Sequence, residues 1–365
     1  MRGSRPSPRR AGGLTLIELL VVVAILSAAS VLVFGVFAED RTQIRYDDTR
    51  QRLQTLYRAV LGHAGPSAAS DIAMGFVADN GDLPADLATL LDAGTLDART
   101  ARSPVFDPKP DDATCENDGS ANDIALVAST PVTPPAVHAP AAQLVKGHRG
   151  DYLGGLAVNG RFRDGWGNVS STDDALNFGW ATSHDGPNKS LSITSLGLDN
   201  VNGGLDYAAD FGQSLVAGDW LIPISGWTVQ VRNLRTTDID PNRLSVSLLV
   251  YANRAGGGKW RRHATASLGC MDGTDDNLVG GLPCSRTASI AFIDGCRPGV
   301  IVAGAGRIPQ GRHLLILSDN GPDNTPWTTD DVIAGGATLT SAQPIFTQVD
   351  AIAGRNLPAV VLEIR

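Results

Sequence analysis

The sequence predicts an α+β fold with one long N-terminal helix, a mixed α+β head and a C-terminal all-β module of sandwich type. Residues 14–38 form an apolar run with a single charge, Glu18. Residues 39–58 contain no proline or glycine, and apolar residues recur near their end at helical spacing. Residues 224–365 carry short β-branched or apolar runs separated by turn residues, which is typical of a sandwich. The predicted organisation is a leader (1–13), the helix (14–62), the head (63–223) and the β module (224–365).

The predicted helix runs from Leu14 to about Gly62, which is about 49 residues or ~70 Å. Its first half is apolar on all sides and, at about 20 residues, is long enough to cross a bilayer. Gly62, Gly65 and Pro66 end the helical pattern. The second half has one apolar stripe for a globular head to cover, formed by Leu53, Leu56, Tyr57, Val60 and Leu61.

The carboxylate of Glu18 separates three interpretations of the apolar run. A secretory signal peptide cleaved after Ala38 has an apolar core of about 7–15 residues, and this run is longer. A plain membrane anchor explains the length but not the acid, because a charge within a bilayer helix costs roughly 2.5–3.5 kcal/mol. The third interpretation gives the acid a role in assembly.

The segment Gly13-Leu14-Thr15-Leu16-Ile17-Glu18-Leu19-Leu20-Val21 resembles the class III signal of type IV pilins and type II secretion pseudopilins. The resemblance implies that a prepilin peptidase cuts after Gly13 and methylates the new amino terminus at Leu14. It also implies that the helix assembles with the helices of other pilins or pseudopilins on a secretion or pilus assembly platform.

In such an assembly, Glu18 of one subunit would pair with the Leu14 ammonium group of its neighbour. A free α-amino group is largely cationic at neutral pH, and pairing offsets the desolvation of both charges. Ala24 and Ala28 add a face of small residues on which helices can approach closely. The alternative role for Glu18 is a charge that snorkels to the membrane surface.

Three segments of the head resemble type II secretion major pseudopilins, in the same order along the chain. The first is Asp82-Leu83-Pro84-Ala85-Asp86-Leu87 with Leu90 and Leu91. The second is Asp151-Tyr152-Leu153 with Asp164-Gly165-Trp166-Gly167-Asn168, in which Gly165 replaces the family's usual proline. The third, Ser195-Leu196-Gly197-Leu198-Asp199-Asn200 with Asp206-Tyr207-Ala208-Ala209-Asp210-Phe211, resembles the family's calcium loop.

This third resemblance implies a Ca²⁺ site formed by Asp199, Asp206 and Asp210, with help from the Leu196 carbonyl. Calcium favours about six to eight oxygen ligands, and the three carboxylates could converge on one ion around the intervening Gly-Gly turn. The alternative is an ordinary turn rich in Asp and Asn that binds no metal.

Two parts of the chain depart from the family pattern. Residues 99–150 are rich in proline, alanine and aspartate and predict a long surface loop inserted in the head. The β module resembles no known family, and its predicted strands are Trp227–Leu234, Leu244–Tyr251, Ala288–Ile293, Gly299–Val302, His313–Leu317 and Ala359–Ile364. A second acidic loop in the module is either a weak calcium site or a solvated turn, and its carboxylates are Asp319, Asp323, Asp330 and Asp331.

Cys115, Cys270, Cys284 and Cys296 all follow the helix, and their even number is consistent with disulfides in the periplasm. Four cysteines allow three connectivities. A Cys270–Cys284 bond would close a short loop in the β module and leave Cys115–Cys296 to fasten the insertion to it. Cys284–Cys296 is the rival local pair.

Charge and motifs exclude several classes of function. The net charge of −8 argues against nucleic acid as the main partner. The sequence has no P-loop, no G-x-S-x-G and no H-E-x-x-H, so we expect no enzyme. We expect a single-pass inner-membrane subunit with periplasmic heads that enters a type II secretion-type filament and moves or presents exported proteins. The alternatives are a type IV minor pilin with an adhesive, ligand-binding β module, and a membrane-anchored periplasmic binding protein that never polymerises.

Overall fold

A computed structural model of the chain describes residues 15–62, 75–99, 102–111, 114–126, 142–254, 256–295, 306–335 and 345–365, with backbone alone for 31–40. The helices are α1 (Leu16–Leu61), α2 (Phe76–Asn80) and α3 (Asp174–Asn177). Turns of 3₁₀ helix lie at Ala88–Leu90, Asp206–Ala208 and Ala217–Asp219. The strands are β1 (Val105–Phe106), β2 (Ile124–Ala125), β3 (Ala181–Asp185), β4 (Ser190–Ser195), β5 (Phe211–Leu215), β6 (Leu221–Pro223), β7 (Thr228–Asn233), β8 (Leu244–Arg254), β9 (Gly257–Ala264), β10 (Leu278–Val279), β11 (Leu282–Pro283), β12 (Thr287–Ala291), β13 (Arg307–Pro309), β14 (Gly311–Asp319), β15 (Val332–Ile333), β16 (Phe346–Ala351) and β17 (Val360–Ile364).

The long N-terminal helix is present and ends where the glycine signal predicts. Gly62 follows α1 with φ of 79°, and its backbone N–H donates to the Arg58 carbonyl at 2.7 Å. Glycine adopts this left-handed conformation without the steric cost of a side chain. Within the described residues, no helix combines the length and the hydropathy that a membrane span requires, and the predicted span stays a prediction.

The head buries the apolar stripe of α1 against a three-stranded sheet in the order β3-β4-β5. Both pairings in this sheet are antiparallel. The segment that follows Asp82 forms a turn and a short 3₁₀ helix, and its leucines enter the same core. The main members of this core are Leu53, Leu56, Val60, Phe76, Leu83, Leu87, Leu90, Trp180, Leu191, Ile193 and Leu215.

The β-rich C-terminal part contains two sheets that share one core. The larger sheet has the order β15-β14-β8-β9, with β16 also paired to β14, and the smaller sheet has the order β12-β7-β17. In the smaller sheet β12 runs antiparallel to β7, whereas β17 runs parallel to it. Side chains from both sheets meet in the shared core, including Val229, Val231, Val246, Leu248, Leu315, Leu317, Leu362 and Ile364.

Part of the insertion at 99–150 covers the outer face of the larger sheet, so these residues are not the surface loop that their composition predicts. Phe106, Leu126 and Leu144 are buried against Leu249 and Tyr251 of β8. Every residue of β8 from Leu244 to Asn253 is buried, and a strand with both faces buried needs cover on both sides. Residues 127–141 of the insertion lie outside the described part of the chain.

The head and the β module share a close interface. The β6–β13 pairing joins residues on the two sides of the predicted boundary at 223. Gly81, with φ of 71°, approaches β8 so closely that a Cβ atom there would lie 1.8 Å from the Tyr251 carbonyl oxygen. The Asn253 amide donates to Asn80 Oδ1 at 2.9 Å, and both side chains are buried. The larger sheet therefore packs directly on the first turns of the head.

Candidate functional site

The first turn of α1 is closed by a capping box between Thr15 and Glu18. The Thr15 backbone N–H donates to Glu18 Oε2 at 2.9 Å, and the Glu18 N–H donates to Thr15 Oγ1 at 3.4 Å. The box satisfies two donors that a helix start would otherwise leave free. The Thr-x-x-Glu spacing is a sequence signature of this motif, and it gives Glu18 a local role that the assembly hypothesis omits. Gly13 and Leu14, the predicted processing residues, lie outside the described residues.

The helix that follows the cap exposes its large apolar side chains. Leu16 is 81% exposed and Ile25 is 63% exposed. Ala24 and Ala28 are exposed as well. A contiguous apolar surface of this kind marks a site of contact with lipid or with another protein. Its other large members are Ile17, Leu19, Leu20, Val21, Val22, Val23 and Leu26.

The Asp164-Gly165-Trp166-Gly167 turn lies against the middle of α1. The Gly165 N–H donates to Thr49 Oγ1 at 3.0 Å. A Cβ atom on Gly165 would lie 2.3 Å from the Arg45 carbonyl oxygen, so this position must stay without a side chain. Proline has no N–H to donate, and its ring would occupy the same space. The departure from the family pattern at Gly165 is therefore matched to close contact with the helix.

Asp164 fastens this turn to the start of the acidic loop. Its buried carboxylate accepts hydrogen bonds from the Asn168 side chain at 2.8 Å and from Ser195 Oγ at 2.6 Å. The Asn168 side chain also donates to the Gly197 carbonyl at 2.9 Å. The second and third family-like segments thus form one hydrogen-bonded unit.

An aromatic cluster holds the end of the acidic loop against α1. The Tyr207 hydroxyl donates to Gln43 Oε1 at 2.7 Å. The Tyr46 ring lies 5.9 Å from the rings of both Tyr207 and Phe211, and Trp166 lies 6.3 Å from Tyr207. These edge and tilted contacts are favourable arrangements of aromatic rings.

The carboxylates of the acidic loop do not converge on one point. Those of Asp199, Asp206 and Asp210 do not all lie within 4.8 Å of one another, a spacing that other described acids do meet. Asp199 Oδ1 accepts from the Val201 N–H at 3.1 Å, and Asp210 Oδ2 accepts from the Gly203 N–H at 3.0 Å.

Asp210 nevertheless has one oxygen without a bond. Its Oδ1 atom is buried and has no hydrogen-bond partner among the described residues. A buried carboxylate oxygen without a donor is costly, and a cation beside it would remove that cost. As they stand, the three carboxylates do not form a calcium site, and an ion bound at Asp210 would require the loop to rearrange so that Asp199 and Asp206 converge on it.

The four carboxylates of the second acidic loop contact different partners. Asp319 pairs with Arg243, whose Nε lies 2.6 Å from Oδ1, and Asp331 pairs with the buried Arg262 at 3.0 Å. Burial raises the pKa of both carboxyl groups, while the paired arginines act in the opposite direction. Asp323 accepts from the Thr325 N–H, and Asp330 accepts from Thr328 Oγ1. Asp319 and Asp331 are therefore engaged by arginines, and among the described residues these four acids form no group of three with ligand atoms within 4.8 Å of one another.

A different acidic group, which the sequence did not single out, lies in the insertion. Ligand-type oxygens of Asp107, Asp118 and Asp123 lie within 4.8 Å of one another. Burial raises the pKa of Asp107 and Asp123, repulsion from Asp118 adds to both shifts, and repulsion from Asp107 adds to that of Asp123. The spacing of these residues along the chain matches no metal-binding motif, so only the fold reveals that they are neighbours.

One of the alternative disulfide pairings is present. Cys270 and Cys284 are bonded, which excludes the rival Cys284–Cys296 pair. Cys115 is disulfide-bonded as well. Cys296 lies outside the described residues.

Comparison with known proteins identifies the N-terminal segment. Residues 8–34 match the family model of the prokaryotic N-terminal methylation motif. No curated protein and no solved structure matches the chain. The matched residues include the predicted cleavage pair, Thr15 and Glu18. This motif is the type IV pilin and pseudopilin signal, and it indicates that the chain is a type IV pilin-like or pseudopilin-type subunit.

Proposed function

We propose that the chain is a pseudopilin-like subunit of a type II secretion-type filament. It is anchored in the inner membrane through α1, with the head and the β module in the periplasm. The methylation motif carries this proposal, because a peptidase that cuts behind Gly13 would free the Leu14 amino group beside Glu18. The exposed apolar side chains at the start of α1 support it, because other helices can cover them in a filament.

The work of such a subunit is mechanical. Growth of the filament would carry the head and the β module outward and move or present exported proteins, with the energy supplied by other components. The head is bonded to α1 through Thr49 and Gln43, and these contacts would transmit axial movement of the helix to the folded domains. Calcium at the acidic loop would tighten the same contact by ordering the segment between Leu196 and Asp210.

Processing is the first test of the proposal. The full chain is expressed with and without a prepilin peptidase, and the purified product is analysed by intact mass spectrometry. The expected product has lost residues 1–13 and carries one methyl group on Leu14. An unchanged N-terminus in the presence of an active peptidase refutes the proposal.

The role of Glu18 in assembly can be separated from its role in the capping box. Glutamine also serves in a capping box, so Glu18→Gln keeps the local bonds to Thr15 but removes the charge. We expect Glu18→Gln to lose subunit cross-linking in the membrane while keeping the helix content of the wild type. Glu18→Ala removes both functions and serves as the comparison. Wild-type cross-linking by Glu18→Gln contradicts the charge-pairing mechanism.

The calcium proposal is tested by thermal unfolding of the full chain in detergent. Chelation should lower the Tm of the wild type, because an ion bound to the folded state stabilises it by mass action. Asp210→Asn should have a lower Tm in calcium and should not respond to chelation. Asp185→Asn, at the end of β3 and outside the acidic loop, is the matched control and should respond to chelation like the wild type. A wild-type Tm that ignores chelation argues against the site.

A groove in the β module favours the adhesive alternative as a second candidate. It has a volume of about 320 Å³ and lies between Trp227 and the exposed residues Arg355 and Asn356. Sites of this size with an aromatic wall and a few polar groups suit small ligands. If the chain is a ligand-binding minor pilin, Arg355→Ala should reduce attachment of cells and leave secretion unchanged. Arg235→Ala, at the opposite end of β7, is the control.

A further inference from the structure

The contacts between the head and α1 follow one another along the helix and end at the acidic loop. Arg52 bonds the Arg163 carbonyl, Thr49 accepts from Gly165, and Tyr207 reaches Gln43. Each of these contacts lies closer to the N-terminus of α1 than the one before. The acidic loop is therefore placed at the end of the head that faces the apolar half of the helix.

This loop exposes large apolar side chains that the head does not use. Leu205 is 82% exposed, Val201 is 60% exposed and Leu198 is 51% exposed. We call these three residues the loop patch. Ile44 of α1, one residue beyond Gln43, is 66% exposed as well. Three exposed apolar residues within eight positions of one loop indicate an interaction surface.

The length of the helix places the loop patch near a membrane surface. If the span begins at Leu16, a hydrocarbon core of ~30 Å takes about 20 residues and ends near residue 35. Gln43 then lies ~12 Å farther along α1, against a headgroup layer of roughly 5–8 Å on each side. Gln43 therefore lies about 4–7 Å outside this layer, and the loop patch meets the layer only if its side chains extend that far toward the N-terminus of α1.

The charges nearby are mixed. Arg41 and Arg45 are exposed on α1 at the same level and are attracted to anionic headgroups. The carboxylates of Asp199 and Asp206 oppose this attraction, whereas Asp210 is turned inward toward Gly203. Apolar insertion must therefore supply the contact, as it does for other peripheral segments at the interface.

We propose that the loop patch inserts into the lipid headgroup layer and fixes the head against the membrane before the subunit enters a filament. This inference rests on the proposed membrane anchoring through α1, and it adds a second contact with the same bilayer. It gives the subunit a defined orientation in which Leu205 is buried in lipid and the β module points away.

The test places a label on the loop patch of the full chain. Leu205→Cys adds a thiol that can be labelled selectively with bimane, because the described native cysteines are all disulfide-bonded. The protein is reconstituted in vesicles of phosphatidylethanolamine and phosphatidylglycerol that contain lipids spin-labelled at the headgroup. Val361→Cys, on an exposed position of β17, is the matched control. We expect several-fold stronger quenching at position 205 than at position 361.

Three outcomes overturn the inference in distinguishable ways. Equal quenching at the two positions in chains that resist carbonate extraction shows that α1 is inserted but the loop patch does not contact lipid. Release of the chain by carbonate overturns the membrane anchoring itself. In the third outcome, bimane at position 205 is shielded from the spin-labelled lipids until the protein is diluted in excess lipid. Such a result assigns the loop patch to contact with a second copy of the chain.

Discussion

Replacing Arg262 with methionine tests the packing of the insertion on the β module. The Arg262 side chain is buried and donates to Ser247 Oγ at 3.0 Å, to the Pro108 carbonyl at 2.7 Å and to Asp331 Oδ2 at 3.0 Å. Its guanidinium group also lies 4.6 Å from the ring centre of Phe106. One side chain thus joins β9, β8 and the insertion.

The expected cost follows from what the substitution leaves behind. Arg262→Met removes the charge that compensates Asp331, whose side chain has no solvent exposure. Breaking a buried ion pair on one side costs about 3–5 kcal/mol, because the remaining charge has no counter-ion. Replacing Asp331 with leucine in the same chain should recover part of this loss, because it removes the unpaired charge but leaves the buried Trp327 N–H without its acceptor.

The measurement is urea unfolding of the full chain in detergent, followed by tryptophan fluorescence. Arg312→Met is the matched control, because its partner Asp350 lies on the surface of the same module and such pairs contribute about 0–1 kcal/mol. A loss below about 1 kcal/mol in Arg262→Met, or no recovery in the double variant, would falsify the view that Arg262 is a buried counter-ion.

Three further predictions concern stability. Gly165→Ala should lower the free energy of unfolding by about 1–3 kcal/mol, because its Cβ would overlap the Arg45 carbonyl, whereas Gly218→Ala, with open space around it, should be neutral in the same urea titration. Burial lowers the pKa of His313 to about 3. The imidazole therefore binds a proton more readily in the unfolded state than in the folded state, and the free energy of unfolding falls as the pH drops below about 6.5. His313→Gln should reduce the loss of stability between pH 7 and pH 5 by about 2 kcal/mol, and a variant that keeps the pH dependence of the wild type contradicts this. Replacing the Cys270–Cys284 pair with serines should cost about 3 kcal/mol by the loop-entropy model, and an unchanged Tm in a thermal melt would count against it.

The elements with strong local signals could be predicted from the sequence. The long helix was expected from Leu14 to about Gly62 and is observed from Leu16 to Leu61. Five predicted strands of the β module lie within three residues of their observed ends, and β8 extends beyond its prediction to Arg254. The sixth, Gly299–Val302, lies outside the described residues. Apolar periodicity and glycine stops act within a few residues of the chain, so they can be read without knowing the fold.

Features that depend on distant parts of the chain could not be predicted in this way. The insertion has the composition of a surface loop, yet Phe106 and Leu144 cover a sheet whose strands lie over 100 residues later. The partner of Asp319 is Arg243, just before β8, and the partner of Asp331 is Arg262 in β9; the spacing of the acidic loop does not predict either pair. The Cys270–Cys284 bond belongs to one of the three possible connectivities, and only the arrangement of strands selects it.

The last turn of α1 is also fastened to the β module. The Gln310 side chain, just before β14, donates to the Leu61 carbonyl at 2.7 Å, and the Gln310 N–H donates to the Trp220 carbonyl at 2.7 Å. These bonds can therefore transmit an axial force on α1 to the larger sheet without passing through residues 63–74. In the proposed filament, these bonds would make the β module advance together with the end of the helix.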